Sequence, residues 1–162
     1  MKFEQLAKLL FKSVRLRLER HGGLSIFASE RSKFEGWLKV ELCDVLMKSF
    51  DNIVPEQNRV DVCCGNWMIE LKTINTNLKY KNTNDKTRPI TKNTEGVIED
   101  IKKLKRCLGV NKSVLFIVFP ARHDNKHWLN QLERIKKYLV RIKHREFNFA
   151  NGVPGIIYFG LI

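Results

Sequence analysis

The order of apolar patterns predicts an α/β domain, a mixed central sheet flanked by helices with an extra helix at the N-terminus. Three observations carry this. Helix-period segments alternate with short β-branched runs in the order α, α, β, β-hairpin, α, β, α, β. Ser113 to Phe119 is an unbroken apolar run, the mark of a strand buried on both faces. Gly65-Asn66 between two strand-like runs reads as a two-residue turn, so part of the sheet is antiparallel. A length of 162 residues with 43% hydrophobic content suits one domain, 1–162, with a real core.

Phe3 to Arg20 is expected to be helical, with Phe3, Leu6, Leu10 and Val14 on one face and Lys8, Lys12, Arg15 and Arg17 mostly elsewhere. His21-Gly22-Gly23 ends it, and Leu24 to Ala28 is an extended link that closes an N-terminal helical extension over 1–30. Ser29 or Ser32 caps a second helix to about Phe50, with Phe34, Trp37, Leu38, Leu42, Val45 and Leu46 inward. Ile53-Val54 is a short strand, and the hairpin follows. Asn75 to Thr94 is rich in Lys, Asn and Thr and reads as a polar flap over 75–94, longer than usual and therefore functional or mobile. A third helix spans about Glu95 to Leu108, with Val97, Ile101, Leu104 and Leu108 inward. Asn125 to about Arg145 is the last helix, with Trp128, Leu132, Ile135, Leu139 and Ile142 in register. Val153 to Ile162 is the closing strand.

Thirty Lys and Arg against seventeen Asp and Glu give a formal net charge of +13. A small protein this basic is expected to meet a polyanion: DNA, RNA or an anionic membrane surface. No run approaches the roughly 18 apolar residues that a spanning helix needs. Lys8, Lys12 and Arg15 interrupt any signal-peptide core. Cys43, Cys63, Cys64 and Cys107 form no C-x-x-C pair and have no histidine at zinc spacing, so reduced thiols in a cytoplasmic protein are expected.

The hairpin carries the chemistry. A Gly65-Asn66 loop pairs Cys64 with Trp67, Cys63 with Met68, Val62 with Ile69, and Asp61 with Glu70. Directly opposed residues have Cβ atoms roughly 4.5–5.5 Å apart, so two carboxylates meet and repel unless a cation sits between them. Lys72, two residues after Glu70, shares its face. Two acids and an amine on one spot read as a divalent-metal site with a lysine at its edge. The bland reading is three ordinary charges on a solvated strand face.

This constellation resembles the PD-(D/E)XK nuclease superfamily, to which restriction endonucleases and archaeal Holliday-junction resolvases belong. The resemblance runs from about Phe34 to the C-terminus. Asp61 matches the motif aspartate, Glu70 the second acid and Lys72 the lysine, while Val60 stands where the motif has proline. The resemblance implies a restriction-endonuclease-like three-layer core and Mg²⁺-dependent hydrolysis of DNA phosphodiester bonds, with Mn²⁺ able to substitute. It also implies a further glutamate on the preceding helix, Glu35 by choice and Glu41 in reserve. Asp61, Glu70 and the Leu71 carbonyl would hold the metal, with Glu35 acting through water or on a second ion. Lys72 would orient or deprotonate the attacking water, or stabilise developing charge.

Around this site, Arg88, Thr91 and Asn93 in the flap are candidates to grip a phosphate backbone, against an equal reading as a solvated loop. Lys102 is a further candidate for the same groove, with plain solvation favoured. A non-cleaving nucleic-acid-binding protein on the same fold is the alternative function. A homodimer is left open, and no membrane partner is expected.

Overall fold

The computed structural model describes residues 1–85, 89–109 and 111–162. Among them lie helices α1 (Phe3–Arg20), α2 (Gly22–Ser29), α3 (Glu35–Leu46), α4 (Ile90–Arg106) and α5 (Lys126–Lys136). The strands are β1 (Ile53–Pro55), β2 (Val62–Cys64), β3 (Trp67–Asn75), β4 (Asn111–Phe119), β5 (Arg141–Asn148) and β6 (Pro154–Leu161). They form one six-stranded sheet in the order β1-β2-β3-β4-β6-β5. β3 and β4 are parallel, joined through α4, and the other neighbours are antiparallel. The chain is therefore α/β with a mixed, open sheet, as its pattern predicts.

Two cores cover the two sheet faces. Leu115, Ile117 and Phe119 of β4 pack with α1, α2 and α3, while Val114, Phe116 and Val118 pack with α4 and α5. From Ser113 to Phe119 each residue of this central strand is buried on one side or the other, which is why Val114 to Phe119 is apolar without alternation. The first core is aromatic: Phe34 meets Phe119, Phe149 and Trp37, and Phe3 stacks on Phe159. In the second, the buried Trp128 Nε1–H donates to the Tyr158 hydroxyl at 2.9 Å, so the indole enters the core without an orphaned donor.

Several boundaries differ from expectation. The Leu24–Ala28 stretch is part of α2, because Leu24 and Ala28, four apart, bury one helical face. No side chain caps α3; Phe34 holds its N-cap position, and the helix stops at Leu46 rather than Phe50. Trp37 is half-buried at the rim of the core, edge-on to His21 and Phe34. Helix α4 starts at Ile90, because the buried Thr94 lengthens the apolar stripe backwards, while Leu108 is 94% exposed beyond its end. The flap is thus shorter than predicted.

The largest correction is the last helix. It ends at Lys136, and Arg141–Asn148 is strand β5. Leu139 and Ile142 do pack on the same core as Leu132 and Ile135, but from a turn and a strand. Their spacing fits a helix by coincidence, while Arg141, Lys143 and Arg145 alternate along a sheet edge. The four cysteines are free thiols, with Cys64 buried. Among the described residues no helix is long and apolar enough to cross a membrane.

Candidate metal and phosphate site

The hairpin register is Cys64–Trp67, Cys63–Met68 and Val62–Ile69. The ladder stops there, one residue short of Asp61, and leaves the outer edge of β3 without a strand partner beyond Ile69. Two carboxylates take the place of that strand. The Leu71 N–H donates to Asp61 Oδ2 at 2.9 Å, and the Thr73 N–H donates to Glu35 Oε1 at 3.0 Å. Glu35 also accepts from the Thr73 hydroxyl at 3.3 Å and lies 3.9 Å from Lys33 Nζ. The Leu71 carbonyl points to the same open side as its own N–H, since both groups of a strand residue face one neighbour. β3 therefore offers a carbonyl beside the Asp61 carboxylate.

Asp61 and Glu70 are hydrogen-bonded to each other. Glu70 is buried, at 8% exposure. Burial, then the hydrogen bond and charge of Asp61, push its carboxyl up to about 8, with Asp100 adding in the same direction and Lys72 opposing. Burial works to raise Asp61 as well, but hydrogen bonds from Lys39, the Leu71 N–H and Glu70 outweigh it and hold Asp61 below its usual range. At neutral pH the pair thus carries one proton on Glu70, donated to an ionised Asp61 (two carboxyls at contact distance do not both ionise cheaply).

Two residues of this site escaped the sequence reading. Lys39 Nζ lies 2.8 Å from Asp61 Oδ1 and 2.9 Å from Glu56 Oε1. Its hydrogen bond to Asp61, then that to Glu56, raise its pKa against the cost of burial. Glu35 and Lys39 are four apart on α3, so their shared face was a readable signal. The second is Asp100 of α4, whose Oδ2 lies 2.6 Å from Lys72 Nζ. Asp100 is 13% exposed and also meets Lys103 at 3.4 Å. Gly96, one turn earlier, packs beside the Lys72 stem, where a Cβ would make ordinary contact with Lys72 Cε at 3.5 Å. Burial disfavours the Lys72 charge, but the bond to Asp100, with the charges of Asp100, Glu35 and Asp61, more than offsets it and raises the Lys72 pKa. Lys72 is thus held as a cation, which suits charge stabilisation better than proton abstraction.

The structure brings Asp61, Glu70, Leu71, Lys72 and Glu35 together. Glu41 is elsewhere, ion-paired with Arg17 at the contact of α1 and α3. Thr91 and Asn93 belong to the first turns of α4 rather than to a loop, and the Asn93 amide donates to the Asn75 carbonyl at 3.3 Å. Lys102 is exposed, its Nζ 5.2 Å from the centre of the Tyr138 ring. Arg88 lies outside the described residues.

Among the described residues no three His, Cys, Asp or Glu side chains are gathered into a cation cage. The donor set is instead two hard-oxygen carboxyls sharing one proton, beside a backbone carbonyl. This fits Mg²⁺, which is usually held by one or two carboxylates and keeps waters and substrate oxygens for its other positions. No protein-family model, curated protein or solved structure matches the chain.

Proposed function

We propose that the chain is a Mg²⁺-dependent nuclease that hydrolyses DNA phosphodiester bonds, on a restriction-endonuclease-like fold. One observation carries the reading: Asp61 sits on the open edge of β3 at the Leu71 N–H, beside the buried Glu70, with Lys72 next along the Glu70 face and anchored by Asp100. Asp61, Glu70 and the Leu71 carbonyl would hold the metal, with Mn²⁺ able to replace it, and Glu35 would stand at its periphery. When bound, the ion supplies an activated water and stabilises charge on the phosphoryl oxygens. Glu70 would have to give up its proton to serve as a ligand, and Lys39, 2.8 Å from Asp61 Oδ1, favours the ionised Asp61 and holds it in place. Lys72, fixed by Asp100, donates hydrogen bonds toward the phosphate oxygens where negative charge develops. The excess of cations supplies attraction for a polyanion. Free thiols suit a reducing compartment such as the cytoplasm.

A non-cleaving nucleic-acid-binding protein is the second reading, and one observation favours it. The carboxyls of Asp61, Glu70 and Glu35 are each engaged by protein groups with which a metal ion would have to compete. Single-turnover assays on plasmid, linear, single-stranded and branched DNA, in Mg²⁺ or EDTA, separate the two. The nuclease reading expects Mg²⁺-stimulated cleavage that falls about 10²-fold or more in Asp61→Ala and Lys72→Ala, with DNA binding in EDTA within about threefold of wild type. Mutants as active as wild type would overturn the site, and a wild type with no stimulated cleavage would leave the binding reading.

Asp100→Asn gives a subtler result. It removes the main support of the Lys72 charge and one cause of the high Glu70 pKa. Cleavage at saturating Mg²⁺ should drop about tenfold, while the acid limb of the pH–rate profile moves to lower pH. A profile that keeps its shape would mean that Asp100 does not act through these two groups.

A further inference from the structure

We propose that the groove between α1 and β5 is a second binding surface, taking the phosphate backbone of a nucleic acid. It is an open groove of about 920 Å³. Lys8, Lys12 and Arg15 lie on one wall, spaced four and three residues apart on one face of α1. Lys143 and Arg145 lie on the other wall, two apart on the same face of β5.

Acid at the groove is already consumed. Glu4 is ion-paired with both Lys143 and Arg141, and Arg15 faces Glu19 at 3.6 Å. Lys8, Lys12 and Arg145 are exposed and have no ion pair among the described residues. Like charges that face each other across one groove repel, and a polyanion laid between them relieves that repulsion and releases its counterions. The shape favours a strand of nucleic acid over a bilayer. The cations are on the walls of a concavity, and the apolar residues that line it, Ala7, Phe11 and Ile142, are buried or half-buried, so among the described lining residues none protrudes to insert among lipids.

The surface is separate from the candidate metal site. β4 and β6 lie between β3 and β5, about 14 Å in three strand spacings. Glu70 and Lys72 alternate with the Ile69 and Leu71 side chains that face the α1 layer, so they look toward α4. One phosphate cannot touch both surfaces, and the groove needs no hydrolysis to bind.

The test uses the full chain in EDTA, with fluorescence anisotropy of a labelled duplex and a labelled single strand across a salt series. The triple variant Lys8→Ala/Lys12→Ala/Arg145→Ala should bind about tenfold or more weakly, and the slope of log K against log salt should fall by about 2–3. A control that removes the same charge elsewhere, Lys105→Ala/Lys126→Ala/Lys137→Ala, should lose less than about threefold. Circular dichroism and a melting curve check that both variants fold. Equal losses in the two triples, or a change under about twofold in the groove triple, would overturn the proposal. So would wild-type binding to poly-glutamate as tight as to DNA, or a groove triple that loses phosphatidylserine vesicles but keeps nucleic acid. If the groove triple loses binding while wild type shows no Mg²⁺-stimulated cleavage, the nuclease reading falls and the groove stands. Cleavage with unchanged binding by the triple sinks the groove alone.

Discussion

Glu70→Gln should make the metal-free protein more stable at pH 8 and abolish Mg²⁺-stimulated cleavage. The Glu70 carboxyl moves from an ordinary 4.5 to about 8 on folding, through burial first and the neighbouring Asp61 second. Between those values the folded chain keeps a proton that the unfolded chain releases, so wild-type stability falls as pH rises from about 4.5 to about 8 and then levels off. Glutamine donates to Asp61 as the protonated acid does and never ionises. Urea titrations in EDTA should therefore show the variant and wild type alike near pH 4.5, and the variant ahead by on the order of a few kcal/mol above pH 8. A pH-independent difference would mean that Glu70 is not the group responsible. The same proton should appear on metal binding. Calorimetry of Mg²⁺ binding at pH 7 in buffers of different ionisation enthalpy should report release of about one proton in wild type and none in the variant.

Arg31→Met should be the most destabilising single change outside the apolar core. Arg31 is 2% exposed, and among the described residues its guanidinium makes no ion pair, Asp85 acting on it only through its charge. Its guanidinium donates instead to the carbonyls of Thr76 at 2.6 Å, Leu78 at 2.8 Å and Asn84 at 2.7 Å. Burial lowers its pKa, with the charge of Asp85 opposing. Methionine fills much of the volume but leaves three carbonyls without their donor, at about 1–3 kcal/mol each before relaxation. A loss of roughly 3 kcal/mol or more in urea unfolding is expected, with new protease cutting within residues 77–85. Arg31 also has a left-handed backbone, φ 53°. Arg31→Gly relieves that strain while losing the same bonds, so a glycine variant less damaged than methionine would measure the backbone share. Lysine reaches fewer acceptors and should recover only part of the loss. A methionine variant as stable as wild type would show that the carbonyls find other donors.

The hairpin was legible because one short signal fixes many residues. Gly65-Asn66 sets the register as far as Val62–Ile69, and the period of two places Glu70 and Lys72 on one face of β3, while Asp61 lies one residue beyond the ladder and reaches β3 through the Leu71 N–H instead of pairing opposite Glu70. Glu35 was reachable as an acid at the start of a helix, yet its role as acceptor for the Thr73 N–H depends on β2 ending early, which no local pattern encodes. Asp100 and Lys39 come from helices distant in sequence and reach the hairpin only after both helical layers pack on the sheet. β5 was misread because Leu139 and Ile142 continue the helical spacing of Leu132 and Ile135 although they lie in a turn and a strand, and it is pairing with β6 that makes Arg141–Asn148 a strand. The short helix α2 hid behind two glycines that usually stop helices; here they begin one, and the burial of Leu24 and Ala28 decides it.

The sheet has two open ends, and they resist extension for different reasons. At β1 the edge is three residues long and ends in Pro55, which has no N–H to offer a neighbouring strand. At β5 the edge is eight residues long and geometrically able to accept another strand, but Arg141, Lys143 and Arg145 leave it an excess of positive charge even after Glu4 pairs with the first two. The first safeguard is a short edge with a missing hydrogen-bond donor, and it is indifferent to salt. The second is electrostatic and fades as ions accumulate. Concentrated salt therefore weakens the defence of one edge only, and any strand-to-strand aggregation of this protein would begin at β5.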